Sequence, residues 1–462
     1  MNPWKFAVIA TTIICAGTTT LTASPADATT TRPNVLFILA DDLSYTDLSS
    51  YGSTFHETPV LDKLAADGIR FTQAYAACPV CSPSRAAIMS GKYPTRTGVT
   101  HYIHNPNAPA MVRRSESYPL VQAPFADRLA AEEVTLAEAL KEAGYATFIS
   151  GKWHLGQQDG AAKNQGFDDE FTVKKAQVPA SDKLADATSS FIRDHHDQPF
   201  FAYLALHAVH TPIRAEQATI RKYEEKRARL GLTDRLTSDG GVNVRQGHAH
   251  PAYAAMVEEM DTAIGSVLST LDDLSLTTST IVIFTSDNGG LSTRPDWPAS
   301  NTPLRFGKGF AYEGGIRVPL IVRWPGTIPA GAETTSIITG TDYYPTLLDL
   351  LQLPPRPAQH MDGKSFARVL TTPDSPAERG PVFWHFPHYG NQGGNPVSAI
   401  RDGDWKLIRL YETNSTELYN LATDLSEQHD LADREPEKTQ ALTTRLDQWL
   451  KDTGAKFPTK KE

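Results

Sequence analysis

Cysteine is scarce in this chain, which has three cysteines in 462 residues. Cys15 falls in an apolar N-terminal segment, so Cys78 and Cys81 are the two that a mature protein could retain. Positive charge is also in deficit, because 44 lysines and arginines face 53 aspartates and glutamates, a net charge of -9. This deficit argues against nucleic acid as the main partner. Long apolar runs are missing after the N-terminus, so we expect no membrane span in the mature chain.

The first residues have the layout of a secretory signal peptide. Lys5 supplies a positive charge, the apolar run FAVIATTIICAG follows, and residues 26–28 read ADA, a small-x-small cleavage site. An uncleaved membrane anchor is the alternative, but the apolar run is short and interrupted by threonines. We therefore predict a signal peptide over residues 1–28 and a mature protein that is periplasmic or secreted.

The rest of the chain alternates strand and helix patterns, and its 40% hydrophobic and 21% charged residues are typical of a globular protein. NVLFILADD, PFFAYLALHAVHTP and STIVIFTSDNGG are apolar runs that end in polar residues, as buried strands do. TLAEALKEAG and YAAMVEEMDTAIGSVLSTLDDL have helical spacing. This alternation predicts an α/β domain over residues 29–375, with a mainly parallel sheet covered by helices on both faces.

The pattern of the sequence changes after about Thr371, where alternating strand and helix segments give way to short strand-like segments. The linker-like segment TTPDSPAERG precedes PVFWHF, VSAIRDGDWKLIRLY and TELYNLATD, which have the character of short antiparallel strands. A final helix is predicted over residues 435–451. These patterns indicate a small C-terminal α+β subdomain with an antiparallel sheet, at residues 376–462.

Polar side chains follow the strand-like runs, at the edge where parallel sheets bind ligands. They are Asp41, Asp42, Lys152, His154, His210, Asp287 and Asn288. Two like charges about 4 Å apart repel by on the order of 4 kcal/mol at an effective dielectric constant of 20, so the three carboxylates of this group require a cation. With Asn288 as a neutral oxygen donor, the set suits Ca²⁺ or Mg²⁺ better than zinc.

The spacing of Cys78 and Cys81 is compatible with more than one kind of site. A structural zinc site would need four ligands, and no second cysteine or cysteine/histidine pair has a suitable spacing. A redox pair and a short-range disulfide stay open. Downstream, we predict Ser82 as the N-cap of a helix, Pro83 as its first residue and Gly91 as its end. The second cysteine would then lie at a helix N-terminus, which favours an anion.

The stretch CSPSRAAIMSGKYPTRTG resembles the signature of the type I sulfatases. SGKWHLG, LHAVHTP, SDNGG and GKGFAYEGGIRVPLIVRWPG are similar to further motifs of that family, in the expected order, and the resemblance covers about residues 34–370. It implies an alkaline-phosphatase-like fold and an arylsulfatase-like enzyme that hydrolyses sulfate esters. It also implies that a formylglycine-generating enzyme oxidises Cys81 to formylglycine (3-oxoalanine). Cys78 is then a bystander, since a disulfide would block that conversion.

The resemblance implies roles for individual residues. Arg85 would steady the hydroxyls of the hydrated formylglycine and a neighbouring carboxylate. Lys152 and Lys308 would hold sulfate oxygens and offset charge in the transition state. His154 would accept a proton as sulfate is released, and His210 would act near the leaving oxygen, as a general acid.

We also expect particular roles for three further residues. Cys81, as formylglycine, joins the three aspartates and the asparagine as a metal ligand, and the family usually uses calcium. Lys92, in the final basic position of the signature, is expected to orient the surroundings of Cys81. His207 is expected to point to the opposite face of an extended strand from His210 and to be structural.

The sequence carries only weak signals for the identity of the substrate. Three segments that mix aromatic residues with histidine, arginine and asparagine suit a sugar carrying an anion, and they are residues 101–109, 288–298 and 384–396. Export together with this chemistry favours a sulfated carbohydrate, often a polysaccharide, as substrate, with small aryl sulfates as surrogates. Rival readings are a phosphonate monoester or phosphodiester hydrolase using the same formylglycine, a non-catalytic sulfoglycan-binding protein, and a redox protein that uses both cysteines.

Overall fold

A computed structural model describes residues 1, 32–104, 115–174, 177, 179–294, 296–373, 375 and 379–461. Arg32–Glu462 group into one compact unit, and the other unit, Met1–Thr31, lies outside the described residues except for Met1. The predicted signal peptide therefore falls outside them, and the domain boundary near residue 375 stays a prediction. Within the described ranges, every helix is too short or too polar to cross a membrane.

The strands are numbered in chain order. They are β1 (Asn34–Ala40), β2 (Ile69–Phe71), β3 (Ala74–Tyr75), β4 (Leu120–Val121), β5 (Ala146–Gly151), β6 (Asp169–Phe171), β7 (Phe200–Ala205), β8 (Arg235–Asp239), β9 (Val242–Gln246), β10 (Thr280–Ser286), β11 (Leu320–Arg323), β12 (Ala332–Thr334), β13 (Ile338–Thr339), β14 (Val382–Phe386), β15 (Val397–Asp402), β16 (Trp405–Leu410), β17 (Ser415–Asn420) and β18 (Thr459–Lys460).

The helices are numbered in the same way. They are α1 (Pro59–Ala66), α2 (Cys81–Ser90), α3 (Pro94–Thr97), α4 (Leu136–Glu142), α5 (Ser181–Asp194), α6 (Gln217–Leu230), α7 (Pro251–Asp273), α8 (Glu313–Ile316), α9 (Tyr343–Leu350), α10 (Ala367–Thr371) and α11 (Pro436–Asp452).

The central sheet has eight strands in the order β12-β2-β11-β10-β1-β7-β5-β6. Its strands β10, β1, β7, β5 and β6 are parallel to one another, whereas β11 pairs antiparallel with both of its neighbours. Strand β1 is buried along its whole length, as the continuous apolar run predicted. The mainly parallel sheet confirms the predicted fold class.

The side chains of β1 alternate between two hydrophobic cores, because successive residues of a strand point to opposite faces. Val35 and Phe37 join one core, to which α2, α4 and α9 contribute, while Leu36 and Ile38 join the other, to which α1, α5 and α7 contribute. Helices therefore cover both faces of the sheet, as predicted, and the site can open only at an edge.

The C-terminal part contains an antiparallel sheet of β14, β15, β16 and β17. One face packs against α11, whose bounds agree with the predicted helix to one residue at each end. Its other face packs toward the main sheet's domain, where the indole N–H of Trp384 donates to the Ala76 carbonyl at 2.8 Å. This contact places the loop after β14 close to the segment that leads into α2.

Candidate active site

Residue 81 lies at the N-terminal end of α2. The helix begins at Cys81 itself, and the residue before it caps the helix in an extended conformation without a side-chain hydrogen bond. The predictions of Ser82 as N-cap and Pro83 as first helical residue were therefore wrong. The Ser82 hydroxyl instead accepts a hydrogen bond from the Ile103 N–H at 3.0 Å. Gly91 ends the helix at a φ of 67°, as predicted.

Cys78 and Cys81 are both buried free thiols. Burial raises the pKa of the Cys81 thiol, although the positive charges of Lys152 and Lys308 act in the opposite direction. Burial also raises the pKa of Cys78. Because the thiolate is the reactive form, an unmodified Cys81 would be a weak nucleophile at neutral pH.

His154 faces residue 81 with its unprotonated nitrogen. Its Nδ1 atom lies 3.3 Å from Cys81 Sγ, and its Nε2 atom lies 3.2 Å from the Ile103 carbonyl oxygen. A carbonyl can only accept, so Nε2 carries the proton and donates, which leaves the lone pair of Nδ1 directed at residue 81. Burial, with help from Lys152 and Arg85, holds the pKa of His154 well below its usual value and so favours the neutral ring.

The predicted carboxylates lie together at the carboxyl ends of β1 and β10, and each meets a cation. Lys152 Nζ donates to Asp41 Oδ2 at 2.6 Å, and Lys308 Nζ donates to Asp42 Oδ2 at 2.8 Å. The structure thus brings Lys152 to the sheet edge, as predicted, and adds Lys308, which comes from a distant loop.

Arg85 joins α2 to this edge. Its Nε donates to Asp287 Oδ2 at 2.9 Å, one terminal nitrogen donates to the Lys152 carbonyl, and another lies 3.9 Å from Asp41. The Asp42 N–H donates to the other oxygen of Asp287 at 3.2 Å. The guanidinium is completely buried, so it fixes the position of the helix that carries residue 81.

The pKa values of Asp41 and Asp287 are shifted in opposite directions. Burial opposes ionisation of Asp41, but Lys152, His210 and Arg85 together hold its pKa well below the usual range. Burial and the charge of Asp41 raise the pKa of Asp287 to about 6, against the pull of Arg85. Positive charge added at this edge would lower the pKa of Asp287.

The edge also offers oxygens that suit a cation. Asp41 Oδ1 and Asn288 Oδ1 are buried and have no hydrogen-bond partner among the described residues. Ligand atoms of Asp41, Asp42 and His210 lie within 4.8 Å of one another. Buried acceptors without donors are costly, and a hard divalent ion satisfies oxygens of this kind. The residues present therefore fit the predicted metal.

His210 and His207 lie on the same side of the molecule. Strand β7 ends at Ala205, and the His210 N–H donates back to the His207 carbonyl at 3.0 Å, so this segment turns instead of extending. Both histidines line the same cavity. The prediction that His207 points to the opposite face was therefore wrong, because it assumed a strand that continues through the turn. His210 Nε2 lies 3.7 Å from Asp42 Oδ2.

Lys92 lies away from the site. It follows the C-terminal end of the ten-residue helix α2, about 15 Å along the axis from Cys81, since each residue rises 1.5 Å. Its ammonium donates to Glu133 Oε2 at 2.7 Å. The expectation that Lys92 orients the surroundings of Cys81 was wrong, because the helix places its two ends far apart.

A cavity of about 1030 Å³ opens over residue 81. It is lined by Asp41, Cys81, Tyr102, Ile103, His104, Asp127, Arg128, Lys152, His154, Gly156, Gln157, Gln158, His207, His210, Lys308, Asn391 and Gln392. Five of the six predicted catalytic residues thus line the cavity, whereas Arg85 is buried behind it, and the rest of the lining is mainly polar and aromatic.

The three predicted pocket segments differ in outcome. Residues 102–104 of the first and 391–392 of the third line the cavity, while residues 105–109 lie outside the described residues. None of the described residues of the second segment, Asn288 included, lines it. Asp127, Arg128, Gln157 and Gln158 were missed. The two glutamines directly follow the SGKWHLG motif, which could have indicated them, whereas Asp127 and Arg128 lie in an irregular stretch without a motif.

Comparison with known proteins gives a consistent result. The Sulfatase family model matches residues 33–353, and the model of the N-sulphoglucosamine sulphohydrolase C-terminal region matches residues 304–456. The chain belongs to the sulfatase family. This membership makes it a sulfuric ester hydrolase, and the family in general implies a metal ion and a formylglycine.

Individual relatives agree with the family model. A sulfatase of Formosa agariphila is 33% identical over 88% of this chain and 85% of its own length. Arylsulfatase A of Homo sapiens is 32% identical over 81% of this chain and 74% of its own length. The crystal structure of Ps i-CgsB, also solved in complex with k-i-k-neocarrahexaose, has a TM-score of 0.74 at 26% identity and covers 90% of this sulfatase and 92% of its own chain.

Proposed function

We propose that this sulfatase hydrolyses sulfate esters on carbohydrates, with residue 81 oxidised to formylglycine by a formylglycine-generating enzyme. The observation that carries the proposal is the neutral His154 ring, whose free Nδ1 lies 3.3 Å from residue 81. The solved relative in complex with k-i-k-neocarrahexaose supports a carbohydrate substrate, as does the size of the cavity. Sites for drug-sized ligands are typically about 300–1,000 Å³, so this cavity has room for more than one sugar ring.

The proposed reaction begins with water adding to the aldehyde of residue 81 to give two hydroxyls on one carbon. One hydroxyl gives its proton to a neighbouring carboxylate of the site and its oxygen attacks sulfur, so a new S–O bond forms as the bond from sulfur to the sugar oxygen breaks. His210 protonates the departing oxygen, while Lys152 and Lys308 hold the sulfate oxygens. Both lysines already reach into the cavity beside residue 81, which supports this assignment.

Sulfate release completes the cycle. The Nδ1 atom of His154 takes the proton of the second hydroxyl, the C=O bond re-forms, and the bond from carbon to the sulfated oxygen breaks. Inorganic sulfate leaves and the aldehyde is regenerated. A serine or an unmodified cysteine at position 81 would have no second hydroxyl and could not expel sulfate in this way.

We further propose that Asp41, Asp42, Asp287, Asn288 and the modified residue 81 hold a divalent ion, Ca²⁺ in preference to Mg²⁺. When bound, the ion supplies positive charge beside the sulfate oxygens. The orphaned oxygens of Asp41 and Asn288 support this assignment. We also propose that the leader directs export to the periplasm or the medium.

Turnover of matched esters tests the proposal. Purified protein, matured together with a formylglycine-generating enzyme, is assayed on nitrophenyl sulfate, nitrophenyl phosphate, a phosphonate monoester and a sulfated oligosaccharide. We expect kcat/KM to be higher for the sulfate than for the phosphate and phosphonate, and sulfate to be released from the oligosaccharide. A preference for the phosphonate, or saccharide binding without turnover, would replace the proposal with one of its rivals.

A further inference from the structure

We propose that Arg128 forms a second anion site in the cavity, which selects carbohydrates that carry another negative group near the sulfate ester being cleaved. The group is a sulfate or a carboxylate, because a guanidinium binds either with two parallel hydrogen bonds. This inference rests on the proposed function, since it names the substrate class of the same cavity.

The stem of Arg128 is held against the loop that follows β5. A Cβ atom added at Gly156 would lie 2.7 Å from Arg128 Cβ, and one added at Gly160 would lie 3.1 Å from that atom. The Leu129 N–H also donates to the Leu155 carbonyl at 2.8 Å. Two glycines therefore make room for the arginine stem, on the same loop that supplies the proposed base. The base of the side chain is therefore held at the rim of the loop that carries His154, and the guanidinium extends from there into the cavity.

The charge of Arg128 is available to a ligand. Lys152 and Lys308, which line the same cavity, lie 2.6 Å and 2.7 Å from carboxylate oxygens of the site. Among the described residues, no carboxylate oxygen lies within 4.0 Å of the Arg128 guanidinium. The residue is exposed within the cavity, so a bound anion can reach it without displacing a protein partner.

The other charges of the protein indicate that a positive side chain in the cavity is needed to bind a polyanionic substrate. The chain carries a net charge of -9, so its overall field does not attract a polyanion, and recognition has to come from local positive groups. Asp127, the neighbour of Arg128 in the chain, also lines the cavity, and its negative charge would repel an anion placed close to it. It can accept a hydrogen bond from a sugar hydroxyl there. The pair therefore fits a sugar ring that presents an anionic group and a hydroxyl to neighbouring positions.

The test compares substrates that differ in one anionic group. Wild-type protein, Arg128→Gln and Arg128→Lys are assayed on a monosulfated oligosaccharide and on two analogues, one with a second sulfate and one with a carboxylate on the adjoining ring. For Arg128→Gln we expect kcat/KM on at least one analogue to fall about 10-fold more than on the monosulfated compound. Arg128→Lys should recover part of the loss, because it restores the charge but not the paired hydrogen bonds. Arg229→Gln, at an exposed position of α6, is the control for net charge.

Equal losses on all three saccharides, or none, would overturn the anion site. The comparison of the analogue that carries a second sulfate with the analogue that carries a carboxylate shows which of the two groups Arg128 recognises. Calorimetric titration of the same saccharides into Cys81→Ala, with and without Arg128→Gln, measures the site without turnover. If no sulfate ester is hydrolysed by the wild type, the proposed function fails, yet the difference in affinity between monoanionic and dianionic saccharides still supports or overturns the role of Arg128.

Discussion

The Nδ1 atom of His154 lies 3.3 Å from Cys81 Sγ, while its Nε2–H is held by the Ile103 carbonyl. This relationship fixes the tautomer of the ring before any substrate binds, so the proposed base needs no proton rearrangement. The carbonyl that selects the tautomer belongs to a loop whose N–H also binds the Ser82 hydroxyl. Helix α2 and the ring of His154 are therefore positioned together.

His154→Ala should slow the release of sulfate from residue 81. The alcohol leaves before this residue acts, so nitrophenyl and sugar sulfates should both show a fast first turnover and a slow second step. General base help contributes about 10²–10⁴-fold, which sets the expected loss in kcat. Stopped-flow traces should show a burst, and mass spectrometry should find a sulfated residue 81. His196→Ala, at an exposed position, is the control. A lack of both burst and adduct would contradict the assigned role.

His210→Ala should act on the leaving group instead. A sugar alkoxide is strongly basic and needs a proton as its bond breaks, whereas nitrophenolate leaves readily without one. The charge of Lys308, followed by burial, lowers the pKa of His210, so the negative sulfate must draw it back toward protonation. We expect kcat/KM to fall roughly 10²-fold or more on sugar sulfates and much less on nitrophenyl sulfate. If both substrates lose equally, His210 is a binding residue only.

Removal of the metal should abolish most turnover. Chelation followed by dialysis would leave the buried carboxylates of Asp41, Asp42 and Asp287 without the proposed divalent ion, and Asp287→Asn would weaken the same proposed ligand set. We expect activity to return with Ca²⁺ more fully than with Mg²⁺, and metal analysis to give about one ion per chain. Asp273→Asn, at an exposed position, is the matched control. Full activity in a chelated sample that contains no ion would show that the cluster is only an ion-pair network.

A buried ion-pair network near the C-terminal sheet predicts how stability varies with pH. Lys406 Nζ lies 3.0 Å from Glu313 Oε1 and 2.8 Å from Glu427 Oε1, and all three side chains are inaccessible to solvent. Burial and the neighbouring Glu313 raise the pKa of Glu427 to about 7, while Lys406 opposes the shift. A carboxyl whose pKa is higher in the folded state binds its proton more tightly there, so its contribution to stability is lost as pH rises from about 4.5 to 7.

Glu427→Gln removes this titration. The melting temperature of the variant, measured relative to wild type, should therefore increase between pH 5 and pH 7.5 and then level off. A difference in melting temperature that is independent of pH across this range would show that Glu427 does not titrate there.

Much of the fold and of the site's floor could be predicted from the sequence. A strand that is buried on both faces has a continuous apolar sequence, and such runs identified β1, β7 and β10. Because these strands are parallel, the residues that follow them lie at the same edge of the sheet. That argument placed Asp41, Asp42 and Asp287 together. It required no knowledge of contacts, because the direction of a parallel strand fixes where its end lies.

Other features could not be predicted, because they depend on contacts between distant segments. The start of α2 was misplaced by two residues, since Ser82 binds Ile103 instead of capping the helix. His207 was assigned to the wrong face because a turn begins after β7. Arg128 approaches the cavity from an irregular segment whose position is set by packing on Gly156. Periodicity carries no signal for such contacts.

The mass of the peptide that contains residue 81, determined together with specific activity, tests the central claim most directly. In active protein we expect the sulfur of Cys81 to be replaced by an aldehyde oxygen and the sulfur of Cys78 to be retained, with kcat in proportion to the converted fraction across preparations. Full activity in a preparation whose residue 81 is entirely an unmodified thiol would contradict the account.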